Sequence, residues 1–372
     1  MRGIPVKLQR TGRLAALLAA STLALTACAS DEGQGAVKAA GTPSESAGPA
    51  LTGTLAGAGS SAQAAALEAW AAGFQGANPE VTVNYDAVGS GAGREQFVAG
   101  PALGFAGSDS ALKDEELPAA TKRCGGQAPL ELPLYASPIA VAYNLPGVEE
   151  LKLTPENIAN IFNQKIKKWN DPALAKENPD LPDLAITPVN RQDDSGTTDN
   201  FTAYLKEAAP KAWPYEPDGV WPVKGGEAGD GTSGVVSAIT AAEGAIGYAD
   251  ASQVQDLGTA QVQVGSEFVE LSPEAAAAVV AKSPRVQGRG PGSLALELSR
   301  TEQGTYPIVL VSYSIACTKY DDAAHGALVK GFLTYVASEE GQATAAEAAG
   351  SAPLAAELRP DVEAAIESIA TG

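Results

Sequence analysis

The sequence predicts an α/β protein of two lobes, each built on a mostly parallel sheet flanked by helices. With 372 residues, the chain is longer than one typical hydrophobic core requires. Its 45% hydrophobic content, with 40 glycines and 25 prolines, is typical of a folded, loop-rich protein rather than a disordered one. A third observation is a pattern that recurs early in the chain: an apolar strand, then small polar residues, then a helix.

The first lobe begins with three such units. In chain order, the pattern predicts strands at 51–56, 81–85 and 103–106, small polar segments at 57–61, 89–93 and 107–109, and helices at about 62–74 and 94–98. Parallel strands joined by helices end at the same edge of their sheet, and ligands of such sheets bind at that edge. We therefore expect the three polar segments to lie close together at a ligand site.

The later elements predict an inserted second lobe and a return to the first. They are two apolar runs within 130–145 separated by Ser137-Pro138, a helix start at 154–156, a buried strand at 184–189, a helix at 201–205, a strand at 245–248, a helix at 273–282, a strand at 306–317 and closing helices from 321 onward. The chain then crosses between lobes near Tyr143 and Tyr306. This places residues 51–143 and 307–372 in lobe I and residues 144–306 in lobe II, with a ligand cleft between them.

The amino terminus predicts an export signal. Basic residues precede an apolar run at 14–25, which is typical of a signal peptide and too short for a membrane span. The run ends in Leu25-Thr26-Ala27-Cys28, which resembles a bacterial lipobox and implies cleavage after residue 27 and attachment of a lipid such as palmitate to Cys28. An ordinary signal peptide with a chance cysteine is the alternative. Residues 28–50, rich in Gly, Ala, Ser and Pro, predict a flexible tether to the cell membrane.

The mature chain is strongly acidic. The signal carries four of the 25 basic residues and no acidic ones, so the chain from Cys28 has 21 basic against 44 acidic residues, a formal charge of −23. This balance argues against nucleic acid as a partner. It also means that any bound anion is held by local dipoles rather than by the net field.

The segment 189–201, VNRQDDSGTTDNF, has the composition of an anion site. It follows a predicted buried strand and enters a predicted helix, and the first N–H groups of a helix have no partners within the helix. Ser195, Gly196 and Thr197 would supply such N–H groups, and Arg191 would supply the single full positive charge. We expect this segment to form the floor of a site for a small oxyanion.

Other kinds of site are disfavoured by the motifs. The turn Gly57-Ala58-Gly59 lacks the later glycine of a dinucleotide fingerprint, and no Gly-Lys-Ser/Thr follows it, so we expect neither a nucleotide nor another cofactor. Cys124 and Cys317 have neither redox nor zinc spacing, and we expect no metal. An even pair of cysteines outside the cytoplasm is more often a disulfide than two free thiols, although the sequence alone does not show that they meet.

Six motifs occur in an order that is similar to that of phosphate-binding proteins, the receptor subunits of bacterial phosphate ABC importers. They are GAGSS from 57, VGSG from 88, GSD from 107, IKKWNDPA from 166, RQDDSGTT from 191 and GAIGY from 244. The resemblance spans the chain from about 51 to its end. It implies the type II periplasmic-binding-protein fold with two crossover hinge strands. It also implies a monomer that binds inorganic phosphate outside the cytoplasm, closes around it and delivers it to the permease subunits of an importer.

Position by position, the resemblance also implies the ligand contacts. These would be Ser61, Ala62, Ser90, Asp109, Arg191, Ser195, Gly196 and Thr197. Asp109 would accept a proton-bearing ligand oxygen and so favour phosphate over sulfate, and Arg191 would donate in bidentate fashion, oriented by Asp193. The first motif departs from the family, because Ser61 and Ala62 stand where threonine and an aromatic residue are common. The wall beside Ala62 is therefore expected to be more open.

Two alternatives remain open at this point. The same fold could bind another oxyanion, such as sulfate, molybdate or an organic phosphate. A phosphatase-type enzyme is the other alternative, since Asp194-Ser195-Gly196 offers a serine. A nucleophilic serine needs an adjacent base, and the single histidine of the chain, His325, is far from this motif in sequence. We therefore expect a binding protein and not an enzyme.

Overall fold

The computed structural model describes residues 50–254 and 256–371, which belong to one compact unit. The predicted signal peptide, Cys28 and the tether lie outside the described residues, apart from Ala50 at the tether's end. Within the described part, no helix is both long and apolar enough to cross a bilayer.

The strands of this part form a nine-stranded sheet and a small three-stranded sheet. They are β1 (Gly53–Gly59), β2 (Val81–Asp86), β3 (Phe105–Ser108), β4 (Leu130–Tyr143), β5 (Lys152–Leu153), β6 (Thr187–Arg191), β7 (Glu227–Gly229), β8 (Ala245–Asp250), β9 (Gly258–Thr259), β10 (Gln261–Val264), β11 (Glu267–Val269) and β12 (Val309–Ala316). The large sheet has the order β2-β1-β3-β12-β4-β8-β6-β7, with β9 beside β4, and the small sheet has the order β11-β10-β5.

The helices pack on these sheets. They are α1 (Ala64–Ala77), α2 (Ser90–Ala99), α3 (Leu117–Arg123), α4 (Pro155–Phe162), α5 (Pro172–Ala175), α6 (Gly196–Ala208), α7 (Gly231–Ala241), α8 (Pro273–Lys282), α9 (Ala323–Ala337), α10 (Glu339–Ala349) and α11 (Arg359–Glu367), with a 3₁₀ turn at Ala251–Gln253. Thr154 caps α4, with Pro155 in its first turn, as the sequence predicts. Two predicted starts are wrong: α1 begins at Ala64, after a turn at 61–63, and α2 begins at Ser90 rather than near 94.

Strand β4 joins two halves of the large sheet. The first half consists of β2, β1, β3, β12 and residues 130–138 of β4; the second half consists of residues 139–143 of β4 with β8, β6 and β7. The outer strands of each half are parallel, while β12 and β4 run antiparallel to their neighbours. The predicted parallel units are therefore confirmed for the outer strands, and the central strands make the sheet mixed.

The apolar runs separated by Ser137-Pro138 form one continuous, buried strand, and not two. Pro138 pairs with Val309 of β12, and the next residue, Ile139, pairs with Asp250 of β8. A proline cannot donate a ladder hydrogen bond, so it is tolerated where the pairing changes partner. Ile139 N–H also donates to the carbonyl of Ile308 at 2.7 Å, so a second chain segment passes the same point.

Strand β1 continues through Gly57-Ala58-Gly59, which the sequence pattern assigns to a turn. The reason is close packing between strands. A Cβ at Gly59 would lie 1.8 Å from the carbonyl oxygen of Gly107, and Gly59 has φ +142°, which disfavours other residues. These glycines therefore bring β1 and β3 close together, and the polar segment after β1 begins at Ser60.

An aromatic cluster supports the second half of the sheet near the end of β6. Phe201 of α6 stacks on Tyr248 of β8 with ring centroids 4.3 Å apart, and Phe162 and Trp221 pack around them. These contacts fix α6 against β8, which pairs with β6. The start of α6 and the end of β6 are thereby held at a common edge.

Candidate functional site

The structure brings the predicted site residues together at the edge where both halves of the sheet end their parallel strands. Ser61 follows β1, Ser90 opens α2, Asp109 follows β3, Arg191 ends β6, and Ser195 to Thr197 open α6. All eight predicted contact residues, including Ala62, are buried. The arrangement is the one expected for parallel strands whose following segments build a single site.

Asp109 is a buried carboxylate surrounded by hydroxyl donors. Ser312 Oγ of β12 donates to Asp109 Oδ1 at 2.6 Å, and Ser90 Oγ lies 3.4 Å from Oδ2. Burial raises the pKa of Asp109 above its ordinary value, while the hydroxyls of Ser312 and Ser60 and the charge of Arg191 act in the opposite direction. The buried carboxylate is therefore positioned to accept a hydrogen bond from a proton-bearing oxygen of a ligand.

The guanidinium of Arg191 is held by Asp193. Nε donates to Asp193 Oδ1 at 2.8 Å and Nη2 donates to Oδ2 at 2.5 Å. Nη1 lies 3.4 Å from both Thr197 Oγ1 and Thr232 Oγ1. Asp193 is fixed in turn by the N–H of Gly231 at 3.2 Å. Because Asp193 occupies the Nε side of the guanidinium, the edge formed by Nη1 and Nη2 is the one that can meet an anion in bidentate fashion.

Ser195 is the N-cap of α6. Its Oγ accepts the Thr198 N–H at 3.2 Å, its carbonyl accepts the Asp199 N–H, and its own N–H donates to the carbonyl of Gly219 at 3.0 Å. The main-chain N–H of Ser195 is therefore already used, contrary to expectation, while its hydroxyl proton is still available. Within the described residues, the N–H groups of Gly196 and Thr197 are the donors that this helix start leaves open.

Ser61 and Ala62 lie in the turn before α1. Ser61 Oγ accepts the N–H of Thr232 at 3.0 Å and lies 3.0 Å from Thr232 Oγ1. The Ala62 N–H donates to Ser60 Oγ at 3.1 Å, so this predicted ligand donor has a partner within the protein. The carbonyl oxygens of Ser61 and Ala62 both accept from Gln253 Nε2, at 2.9 and 3.1 Å. The segment is thus held mainly by groups that belong to the second half of the sheet.

Several contacts join the two halves across the site. Asn200 Nδ2 of α6 donates to the carbonyl of Asp109 at 2.7 Å, and Arg300 Nη2 donates to Asn200 Oδ1 at 2.6 Å. Ser110 Oγ donates to Asp199 Oδ2 at 2.5 Å. Together with the Ser61 contacts, these bonds place donors from both halves around one point.

Three contributors to this site were missed by the sequence reasoning: Thr232, Ser312 and Asn200. Thr232 follows a Gly-Asp-Gly turn at the start of a helix, which is the pattern already used to select Ser90 and Ser195. Ser312 is a polar residue inside an apolar strand, VLVSYSIA. Asn200 lies within the predicted anion segment 189–201, but its own role depends on contacts with Asp109 and Arg300 that are distant in sequence.

Tyr248 supports the site from below. Its hydroxyl accepts the N–H of Arg191 at 3.2 Å and lies 2.8 Å from Thr198 Oγ1. Burial raises the pKa of Tyr248 to about 12, so the phenol keeps its proton at neutral pH. The start of α6 and the end of β6 are therefore bridged by an uncharged hydroxyl.

A cavity of about 590 Å³ lies beside the site. It is lined by Ser61 and Gly231 and also by the exposed carboxylate residues Glu68, Asp86 and Asp230. The surroundings of the candidate anion site are therefore acidic, in keeping with the charge of the whole chain. In the described part of the chain, no group of three or more His, Cys, Asp or Glu residues comes together in a way that could hold a metal ion.

Cys124, after α3, and Cys317, after β12, are joined by a disulfide in the structure, with the Cα atoms 5.1 Å apart. Arg123 Nη1 lies 3.1 Å from Cys317 Sγ, and its guanidinium packs over the ring of Phe97. The disulfide ties β12, which carries Ser312, to the end of α3.

Comparison with known proteins places this chain in a family. A PBP superfamily domain matches residues 44–340. Phosphate-binding protein PstS 3 of Mycobacterium tuberculosis is 36% identical over 380 residues, covering 98% of this chain and 100% of that protein. PstS 2 of the same organism is 35% identical over 376 residues, with 98% and 100% covered. PstS of Pasteurella multocida is 33% identical over 269 residues, with 70% and 75% covered.

Solved structures share the fold at lower identity. A high affinity periplasmic phosphate-binding protein bound with phosphate has a TM-score of 0.69 and 22% identity, covering 84% of this chain and 93% of that chain. A phosphate-binding protein of Stenotrophomonas maltophilia has a TM-score of 0.64 and 22% identity, with 84% and 93% covered. A Clostridium perfringens protein assigned as a phosphate ABC transporter substrate-binding protein, solved with bound phosphate, has a TM-score of 0.57 and 21% identity, with 80% and 98% covered.

The predicted α/β periplasmic-binding-protein fold is confirmed by these structures, and the resemblance found in the six motifs is confirmed by relatives matched over nearly the full chain. The chain therefore belongs to the phosphate-binding proteins of the PBP superfamily.

Proposed function

We propose that this protein binds inorganic phosphate outside the cytoplasm and delivers it to the membrane permease of an ABC importer. The observation that carries the proposal is the convergence of one guanidinium, several hydroxyl and amide donors and one buried carboxylate at a single point between the two halves of the sheet. The matched relatives are phosphate-binding proteins, and the Clostridium perfringens protein is assigned to a phosphate ABC transporter.

The ligand contacts of this proposal are the eight predicted residues. They are Ser61, Ala62, Ser90, Asp109, Arg191, Ser195, Gly196 and Thr197. Arg191 offers its free edge, oriented by Asp193. Gly196 and Thr197 offer N–H groups at a helix start, where the helix dipole favours an anion. Ala62 takes part only by sharing an N–H that also donates to Ser60.

Asp109 makes the site selective for a protonated tetrahedral anion. Near neutral pH, phosphate keeps at least one O–H, which can donate to a carboxylate oxygen. Sulfate has acceptors only, so against Asp109 it would place lone pairs and like charge together in a buried site. An unmet buried contact of this kind penalises the wrong ligand more than a missing apolar contact does.

Binding is coupled to closure of two lobes in this proposal. Residues 51–143 with 307–372 form lobe I, which carries Ser61, Ser90 and Asp109, and residues 144–306 form lobe II, which carries Arg191 and the start of α6. Only the closed arrangement collects all donors around one ion, so the ion shifts the population toward closure. The closed form is the one that the permease subunits recognise.

Anchoring completes the proposal. A lipid on Cys28 and the tether of residues 28–50 hold the monomeric binding protein on the outer face of the cell membrane. The protein acts by binding alone and is not an enzyme. The names of the matched relatives, which are binding proteins, support this part of the proposal.

Calorimetric titration of the purified full-length protein in mild detergent, dialysed to remove bound anion, tests the function. We expect tight binding of inorganic phosphate and at least about 100-fold weaker binding of sulfate, as expected for a site with a buried partner that sulfate cannot satisfy. Arg191→Gln should abolish the phosphate heat, whereas Arg285→Gln, which breaks an exposed ion pair with Asp361, should not.

Two results would overturn this function. One is the absence of phosphate heat, or a preference for sulfate, molybdate or an organic phosphate in the same titration. The other is release of product from a chromogenic phosphomonoester above the level given by the Arg191→Gln variant, which would indicate the phosphatase alternative.

A further inference from the structure

We infer that Thr232 is a positioning residue of the anion site, which orients the Ser61 hydroxyl toward the bound ion and links it to Arg191. This inference rests on the proposed function and adds a residue outside the eight predicted contacts. Thr232 lies in the first turn of α7, is 1% exposed, and comes from a different segment than the Arg191 motif.

The contacts of Thr232 form a series of hydrogen bonds across the site. Arg191 Nη1 lies 3.4 Å from Thr232 Oγ1, which lies 3.0 Å from Ser61 Oγ. The main-chain N–H of Thr232 also donates to Ser61 Oγ, at 3.0 Å. Two groups of one residue therefore converge on a single hydroxyl that is 171 residues away in sequence.

Arg191 fixes the direction of one bond in this series, and our proposal assigns the direction of the other. Arg191 has no acceptor, so Thr232 Oγ1 must accept from it, and the hydroxyl proton of Thr232 is then free to point at Ser61. The bond between the Ser61 and Thr232 hydroxyls can run in either direction. In our proposal Thr232 is the donor, so that its N–H and O–H occupy both lone pairs of Ser61 Oγ. The only hydrogen-bonding capacity left on Ser61 is its own proton. The Ser61 hydroxyl is thereby made a donor, which is the one role that an anion can use.

The same series of hydrogen bonds also polarises the Ser61 hydroxyl. In a series of hydrogen bonds running in one direction, each bond strengthens the next, and the effect is larger where water is excluded. Here the series starts at a buried guanidinium and ends at Ser61. A serine without Thr232 could instead turn a lone pair toward the ion.

This series of hydrogen bonds forms only when both halves of the sheet are together. Ser61 follows β1 in the first half, whereas Thr232 and Arg191 belong to the second. Gln253, which follows β8, holds the carbonyl oxygens of Ser61 and Ala62 from the same side. Thr232 therefore couples correct orientation of Ser61 to closure.

Thr232→Val tests this role, because valine keeps the branched shape and the main-chain N–H but lacks the hydroxyl. Titrating the full-length protein with inorganic phosphate, we expect Kd to rise about tenfold, the loss typical of one hydrogen bond to a charged group. Thr232→Ser retains the hydroxyl and should bind within about twofold of the wild type on the same grounds. Thr240→Val is the matched control, since Thr240 lies exposed on the same helix and its hydroxyl donates to the Val236 carbonyl, away from the site.

A double-mutant comparison separates positioning from folding. Because Thr232 acts through Ser61, Thr232→Val should raise the phosphate Kd by a much smaller factor in a Ser61→Ala background than in the wild type. Unfolding of the ligand-free protein should be equal for Thr232→Val and Thr240→Val. If Thr232→Val does not fold, Thr232→Ala in the same comparison replaces it.

The outcomes distinguish the two levels of the proposal. If the wild type does not bind phosphate, the proposed function fails and the positioning role falls with it. Two results would overturn only the role of Thr232 while the wild type still binds phosphate. One is that Thr232→Val binds as tightly as Thr240→Val. The other is that the losses of phosphate affinity caused by Thr232→Val and Ser61→Ala are fully additive in binding free energy.

Discussion

Gly196 of α6 lies directly against Asp109, with no room for a side chain between them. A Cβ on Gly196 would stand 2.6 Å from the Cβ of Asp109 and 2.6 Å from Ser90 Oγ. Real Cβ atoms do not approach other atoms so closely. Gly196 belongs to the second half of the sheet and Asp109 to the first, so this contact sets how near the two halves can come.

Gly196→Ala should therefore hold the site open. We expect phosphate affinity to fall about tenfold to 100-fold, because overpacking a close contact typically costs 1–3 kcal/mol, about a factor of ten per 1.4 kcal/mol. Small-angle scattering should show a smaller phosphate-induced decrease in radius of gyration than in the wild type. Gly76→Ala is the control, since a Cβ there meets nothing within 4 Å. Unchanged affinity in Gly196→Ala would contradict the closed geometry as the binding state.

Asp109→Asn should reduce discrimination between phosphate and sulfate. The amide removes the like charge that repels sulfate and offers a donor in place of an acceptor, so sulfate should gain affinity while phosphate loses it. We expect the ratio of the two dissociation constants to fall at least about tenfold, measured by calorimetry at pH 7. Asp114→Asn, at a strongly exposed aspartate, should leave the ratio unchanged. An unaltered ratio in Asp109→Asn would remove Asp109 as the selective group.

Asp250 should make stability depend on pH. It lies where β4 changes partners, its Oδ1 accepts from Tyr135 and Ser252, and its buried Oδ2 has no partner among the described residues. Burial raises the pKa of Asp250 to about 6 from 3.8. Because the folded state binds this proton more tightly than the unfolded chain, the stabilisation is fully present below about pH 3.8 and is lost as pH rises through 6.

The Asp250→Asn variant isolates this effect, since its neutral amide imitates the protonated acid. Between pH 4 and pH 7, the wild type should lose roughly 2.4 kcal/mol of unfolding free energy relative to the variant, from about 1.36 kcal/mol per pKa unit. Urea unfolding across this range measures the difference. Asp180→Asn, at an exposed site, should follow the wild type. Parallel pH profiles for wild type and Asp250→Asn would mean that Asp250 ionises normally.

The Cys124–Cys317 disulfide should stabilise the fold without taking part in binding. It joins residues separated by 193 positions, and closing a long loop restricts the unfolded chain. Replacing both cysteines by serine should lower the unfolding free energy by about 2–5 kcal/mol. Phosphate affinity should change less than about threefold, because the folded variant keeps every contact of the site. Added reductant should destabilise the wild type and not the variant, and an equal response would argue against the disulfide.

Much of the site could be predicted because its residues occupy the ends of strands and the starts of helices. Ser90 and Asp109 follow strands and Arg191 ends one, and parallel topology brings such strand ends together. Where prediction failed, the cause was tertiary packing. Strand β1 runs through Gly57–Gly59 because close approach to β3 requires glycine, and β4 runs through Pro138 because two different strands pair with its two ends.

Side chains that complete the site from distant segments could not be identified from local pattern. Ser312 meets Asp109 across 203 residues, and Asn200 meets it across 91. Neither contact produces a local sequence spacing from which it could be predicted. Thr232 shares the pattern of the other helix starts, yet the same pattern also occurs at ordinary helix caps, such as Ser272 of α8.

The acidic cavity beside Ser61 has a kinetic consequence. An anion that enters through this cavity meets the negative charges of Glu68, Asp86 and Asp230. A doubly charged anion is repelled more strongly there than a singly charged one, and dissolved salt screens this repulsion. We expect phosphate capture to quicken as ionic strength increases, the reverse of what steering by a basic entrance would produce.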